Sequence, residues 1–171
     1  PSEQFRHALE RSGLAAKAIA LAHEKEDVDA AKATKSTRAR HPTVAKYDPA
    51  LVLHKGTATL LVTEGDSAKN FATAGLSVVS RKHFGVYPIR GKFLNVRGET
   101  SKTILDNKEA LELIRILGIQ MHVTYTEDMA RALPYAKLMV MSDQDVDGSH
   151  IAGLLYNLID GELGGNKIEV F

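Results

Sequence analysis

Three stretches of the chain have the apolar, β-prone pattern of buried strands, and stretches of helical period lie between them. Thr57 to Thr63 is the first, a short Thr-Ala-Thr-Leu-Leu-Val-Thr run stopped by Glu64 and Gly65. Gly85 to Ile89 is the second and Lys137 to Ser142 the third. After the first strand, Asp66 and Ser67 are placed to cap a helix through about Ala74, with Phe71 and Ala74 on one side and Gly75 near its end. After the second, Asp106 is followed three residues later by Glu109 in the manner of a capping box. Ala110, Leu113, Ile114 and Leu117 then repeat at helical spacing before Gly118. A third helix is expected from Gly148 to about Ile159. Alternation of this kind predicts an α/β fold in which a parallel sheet carries helices on both faces.

Both ends of the chain depart from that pattern. Phe5, Leu9, Ala15, Ala16, Ile19 and Ala20 recur near helical spacing, so an amphipathic helix is expected to about His23, with a stripe that needs a partner. Ala31 to Lys46 has five cations, no acidic residue and few large apolar groups, the composition of a loop or mobile arm. A solvated loop and a segment touching nucleic-acid phosphate both remain open for it. The tail from Gly161 to Phe171 is rich in glycine and ends in Ile168, Val170 and Phe171, as an edge strand or an artificial junction would. The expected division is a helix and basic arm at 1–56, the α/β domain at 57–160 and the tail at 161–171. Since the chain begins at Pro1, it is expected to be a piece of something longer.

Composition narrows the chemistry. At 171 residues, 44% hydrophobic and 25% charged, the chain is long and apolar enough to bury a core. Without cysteine it has no disulfide, no thiolate nucleophile and no cysteine-bound zinc. No apolar run approaches the roughly 20 residues of a membrane span, so a soluble, intracellular setting without a membrane partner is expected. Net charge is only +1, so any polyanion partner must be judged from where the cations lie.

Carboxylates gather where the pattern places strand ends. Glu64 ends the first strand, while Asp143, Asp145 and Asp147 follow the last at every second residue. Functional side chains in parallel sheets collect beyond the carboxyl ends of the strands. If those two strands are neighbours, four carboxylates converge, and cations or protons must relieve their repulsion. All-oxygen ligands select a hard cation, Mg²⁺ first, with Mn²⁺ or Ca²⁺ as substitutes. An acidic surface turn is the plain alternative, since Asp and Gly favour turns. A calcium loop fails, because its twelfth position is Leu154 instead of a bidentate Glu. An Asp-x-Asp phosphotransferase, with the first carboxylate as nucleophile, stays open, although that class prefers Thr or Val where Asp147 stands. Between Ser80 and Lys102, six cations against Glu99 add a possible phosphate-binding face.

Taken together, these residues resemble a known family. Glu64-Gly65-Asp66-Ser67-Ala68 with Asp143-x-Asp145-x-Asp147-Gly148-Ser149-His150 is similar to the paired motif of the Toprim domain in type IIA DNA topoisomerases. Pro88 to Arg97, with Ile89 in place of the usual leucine, resembles that family's Pro-Leu-Arg-Gly-Lys-x-Leu-Asn-Val segment. The resemblance covers roughly Thr57 to Ile159 and implies a Toprim, Rossmann-like fold. It further implies the eukaryotic type of enzyme, with a large DNA virus as its expected source, acting in the nucleus or cytoplasm.

The resemblance implies a division of labour as well. A tyrosine on a separate winged-helix region cleaves double-stranded DNA, and Mg²⁺ on the Toprim carboxylates assists cleavage and religation. Glu64, Asp143 and Asp145 would be the catalytic ligands and Asp147 an auxiliary one. Arg90, Lys92 and Asn95, and after them Arg97 and Lys69, would contact DNA. Ser67 would cap its helix and His150 would orient a ligand, touch phosphate or cap the next helix. None of Tyr47, Tyr87, Tyr125, Tyr135 and Tyr156 matches the nucleophile. ATP would act only in a further region, and the whole enzyme would be a homodimer. A stand-alone Toprim nuclease or primase-like protein shares the carboxylates but leaves Pro88 to Arg97 unexplained.

Overall fold

In the computed structural model, residues 13–35, 44–53, 56–91, 93–162 and 169–170 are described. Strand β1, Ala58–Glu64, is buried at every position up to Thr63, which only the centre of a sheet covered on both faces permits. β2 (Phe84–Ile89) pairs with it on one side and β3 (Tyr135–Met141) on the other, and β4 (Glu169–Val170) lies beyond β3. All neighbours are parallel, in the order β2-β1-β3-β4. β4, two residues of the tail, forms the edge of the sheet on that side.

Alternation along the strands divides the core. Leu60 and Val62 of β1 join Tyr87, Ile89 and Leu138 on one face. That face packs on helix α4 (Lys108–Leu117) through Ala110, Leu113, Ile114 and Leu117, and on helix α6 (Val146–Asn157) through Ile151, Leu154 and Leu155. Leu61 and Val86 point the other way, onto Ala72 and Leu76 of helix α2 (Gly65–Val79). Helices therefore cover both faces, as the pattern predicts. Among the described residues, no helix is long and apolar enough to cross a membrane.

Local details correct several expectations. α2 begins at Gly65, so β1 runs into it without a loop, and neither Asp66 nor Ser67 caps it. Glu64 holds the cap position and makes no side-chain cap bond. The helix continues beyond Ala74 to Val79 because Leu76, one turn after Ala72, also packs on the sheet. Its buried side is thus Ala72 and Leu76, and Phe71 is 72% exposed. The helix expected after Asp106 is α4, capped by Asn107 and not Asp106, with the Asn107 Oδ1 accepting the Ala110 N–H at 2.9 Å, and a separate helix that was not anticipated, α3 (Ser101–Asp106), precedes it. Gly118 closes α4 in the left-handed region (φ 68°), as predicted. A short helix, α5 (Glu127–Arg131), was not anticipated. α6 starts at Val146, two residues before the expected Gly148, and runs on into a π-helical turn, Leu158–Glu162.

The N-terminal region differs most. Helix α1 spans Leu14–Lys35, reaching into the stretch expected to be a loop, while the first part of the predicted helix lies outside the described residues. Ala15, Ala16, Ile19 and Ala20 face solvent, and the anchors come later, at Ala30 and Thr34. Thr34 Oγ1 accepts the Met121 N–H at 3.3 Å. Val44 to Leu53 forms a strap along the outer edge of β2. Asp48 and Val86 exchange both backbone hydrogen bonds, at 2.9 and 2.8 Å, in antiparallel sense. The strap's Tyr47 stands edge-on to Tyr135, with ring centres 6.3 Å apart, and the Tyr135 hydroxyl accepts the Ala50 N–H at 3.1 Å.

Candidate metal and nucleic-acid site

β1 and β3 are adjacent, so their carboxyl ends bring the two acidic groups to one edge. Thr63 is opposite Met141, leaving Glu64 as the last residue of β1 beside the start of the loop that follows β3. There the Asp143 N–H donates to Glu64 Oε2 at 3.3 Å, across 79 residues of sequence. Asp145 is the N-cap of α6, its Oδ1 accepting the Gly148 N–H at 2.7 Å, while Ser149 Oγ donates to the Asp145 carbonyl at 3.0 Å. Asp147 lies in the first turn of α6. Because Asp145 caps α6, His150 does not, and its ring is exposed one turn into the helix. Gly148 is required for the fold of this loop, since a Cβ there would overlap the Asp143 carbonyl oxygen.

The four carboxylates share an edge but do not close on a common point. Among the described residues, no three His, Asp or Glu side chains are gathered tightly enough to hold an ion. Nor, among those residues, does a Lys, Arg or His form an ion pair with Glu64, Asp143, Asp145 or Asp147. All three Asp residues are exposed and Glu64 is half-buried. The donor chemistry, four oxygen acids without countercharge on one edge, suits a hard divalent cation.

Cations crowd the neighbouring rim. Lys46, from the strap, grips both oxygens of Asp66 at 2.7 and 2.9 Å, and Arg90 approaches the same carboxylate at 3.8 Å. The Lys46 hydrogen bonds, helped by the charges of Arg90 and Lys69, hold Asp66 below the usual carboxylate range. Lys69 is directed inward, to Asp48 Oδ2 at 2.9 Å and the Lys46 carbonyl at 2.8 Å. The Arg90 N–H donates to Glu109 Oε1 at 2.7 Å. Partial burial pushes Glu109 up, against the pull of that hydrogen bond. Asn95 and Arg97 are exposed, with Asn95 Oδ1 accepting the Arg97 N–H at 3.2 Å. Lys92 lies outside the described residues. Ser67 is exposed on the first turn of α2.

Tyr47, Tyr87, Tyr125 and Tyr135 are buried, and burial pushes the phenols of Tyr47, Tyr87 and Tyr135 upward. Sequence reading had Lys46 only as one cation of a basic arm, and it did not place Asp48 and Asp66 on this rim. Their pairs join positions about 20 residues apart through the strap, and no local pattern signals such a contact.

The model of the Toprim domain family matches residues 59–171, the stretch that holds the sheet and both acidic segments. This chain belongs to the Toprim domain family. DNA topoisomerase 2 of Pisum sativum is 46% identical over 153 residues, covering 88% of this chain and 10% of the relative. DNA topoisomerase 2-alpha of Homo sapiens is 53% identical over 102 residues, 59% of this chain and 7% of the relative. The crystal structure of the Plasmodium falciparum topoisomerase II DNA-binding, cleavage and re-ligation domain superposes with a TM-score of 0.66 at 44% identity. It covers 71% of this chain and 17% of that one. The chain thus spans about a tenth of the length of the curated relatives it matches.

Proposed function

We propose that this chain is the Toprim module of a type II DNA topoisomerase, supplying carboxylates for Mg²⁺ at the site where double-stranded DNA is reversibly cut. The observation that carries this reading is the meeting of Glu64 with Asp143 at the ends of adjacent parallel strands, without countercharge among the described residues. Glu64 and Asp143 would hold the ion nearest the chemistry, Asp145 would share a second and Asp147 would support them. Such an ion, when bound, supplies positive charge opposite the developing 3′-oxygen.

The chain's own groups do the rest. Glu64 would also hold or return a proton at that oxygen. Arg90, Lys92, Asn95 and Arg97 would fix the DNA backbone in register, with Lys69 supporting them from within. The attacking tyrosine would come from elsewhere in the enzyme, since four of the five here are buried in the core. The winged-helix and ATP-hydrolysing regions, and the homodimer, belong to that larger enzyme. We take 57–160 as the metal-binding unit, with 1–56 and 161–171 as its flanks.

Binding of Mn²⁺, followed by electron paramagnetic resonance, tests the site. Glu64→Ala and Asp143→Ala are each expected to weaken it by tenfold or more, on the order of 1.4 kcal/mol. Unchanged binding in both variants would falsify the metal site.

A further inference from the structure

The strap delivers a cation to the rim of the acidic site. Lys46 and Arg90 converge on Asp66, which is two residues beyond Glu64 at the start of α2. Arg90 directly follows Ile89, the residue opposite Glu64 in the β1–β2 register. Lys46, Asp66 and Arg90 therefore lie along one edge with the carboxylates. They are also open to solvent, with side chains 34%, 57% and 69% exposed, whereas Lys69 is 18% exposed.

The Lys46–Asp66 pair is not needed to hold the strap. Asp48 is already laddered to Val86, Tyr47 is packed against Tyr135, and Lys69 binds both Asp48 and the Lys46 carbonyl. An exposed ion pair is worth about 0–1 kcal/mol, so exchanging its carboxylate for another anion costs little. A backbone phosphate gains from the exchange, because each cation it meets releases a condensed counter-ion from the duplex.

We propose that Lys46 is a further phosphate-contacting residue and that Asp66 is its internal counter-ion. Asp66 holds Lys46 and Arg90 at the rim until a DNA phosphate displaces it. The strap is thereby part of the nucleic-acid surface. This rests on the reading of the chain as a DNA-cleaving Toprim module.

The test measures affinity of the complete enzyme for a fluorescent DNA duplex across a series of KCl concentrations. Lys46→Gln is expected to weaken binding roughly three- to tenfold at low salt and to lower the slope of log affinity against log salt by about 0.9. Lys46→Arg restores both. Asp66→Asn, which frees two cations, tightens binding roughly two- to fivefold at low salt. Unchanged affinity and slope in Lys46→Gln overturns the phosphate contact, and unchanged or weaker binding in Asp66→Asn overturns the counter-ion role. Arg90→Gln separates the levels of failure. If it weakens binding while Lys46→Gln does not, only the Lys46 proposal falls; if neither does, the reading of this face as a DNA surface falls with it.

Discussion

At Gly148 the fold leaves no space for a methyl group, because its Cβ would run into the carbonyl oxygen of Asp143. The glycine lets α6 start directly under the acidic loop, with Asp145 capping it. Gly148→Ala is therefore expected to cost about 1–3 kcal/mol in urea unfolding through the forced shift. It should also weaken Mn²⁺ binding, although it removes no ligand. Glu109 makes a second prediction at this scale. Burial raises its folded-state pKa above the unfolded value, so its contribution to stability is full below the unfolded pKa and is lost as pH rises through the folded one. Glu109→Gln keeps an acceptor for the Arg90 N–H and cannot ionise. The variant is expected to match or exceed wild type at pH 7, by at most about 0.5 kcal/mol after solvent screening, and to lose that advantage near pH 4. Urea titrations at the two pH values measure this, and a larger advantage at the acid end would contradict it.

Elements with a continuous apolar signal were legible in the sequence. β1 shows six buried positions in a row, and α4 repeats Ala110, Leu113, Ile114 and Leu117 on one face, so both emerge close to the predicted limits. Their ends were harder to read, because caps depend on one hydrogen bond. Asp106 with Glu109 has the spacing of a capping box, yet Asp106 finishes α3 and Asn107 caps α4, while Glu109 turns to the Arg90 backbone across the sheet edge. The distinction is measurable by thermal or urea unfolding. Asn107→Ala is expected to destabilise the protein by about 1 kcal/mol, and Asp106→Ala by much less. The reverse order would mean the capping box is real.

Across the whole molecule, the acidic cluster proposed as half of the site was visible in the sequence because Glu64 and the Asp143 to Asp147 run each follow an obvious strand. Their common edge follows from β1 and β3 being neighbours, which the alternation implied but did not fix. The basic half was only partly legible. Arg90 lies at a strand end, but Lys46 reaches the site through a strap whose apolar anchors, Tyr47 and Ala50, are too few to produce a periodic signal. The strap also brings one cation, Lys46, to a carboxylate of the Toprim region, Asp66, 20 residues further along the chain.

In the proposed reading, Glu64 and the Asp143 to Asp147 run carry the metal dependence of DNA cleavage in the complete enzyme. The most direct test is cleavage of supercoiled DNA by the complete enzyme carrying Asp145→Ala or Glu64→Ala, at saturating Mg²⁺ and with DNA binding measured alongside. Covalent cleavage complexes are expected to fall at least a hundredfold, about 2.7 kcal/mol in the barrier, with duplex affinity within about threefold of wild type. Mg²⁺-dependent cleavage at the wild-type level in both variants would contradict the assignment of these carboxylates to the chemistry.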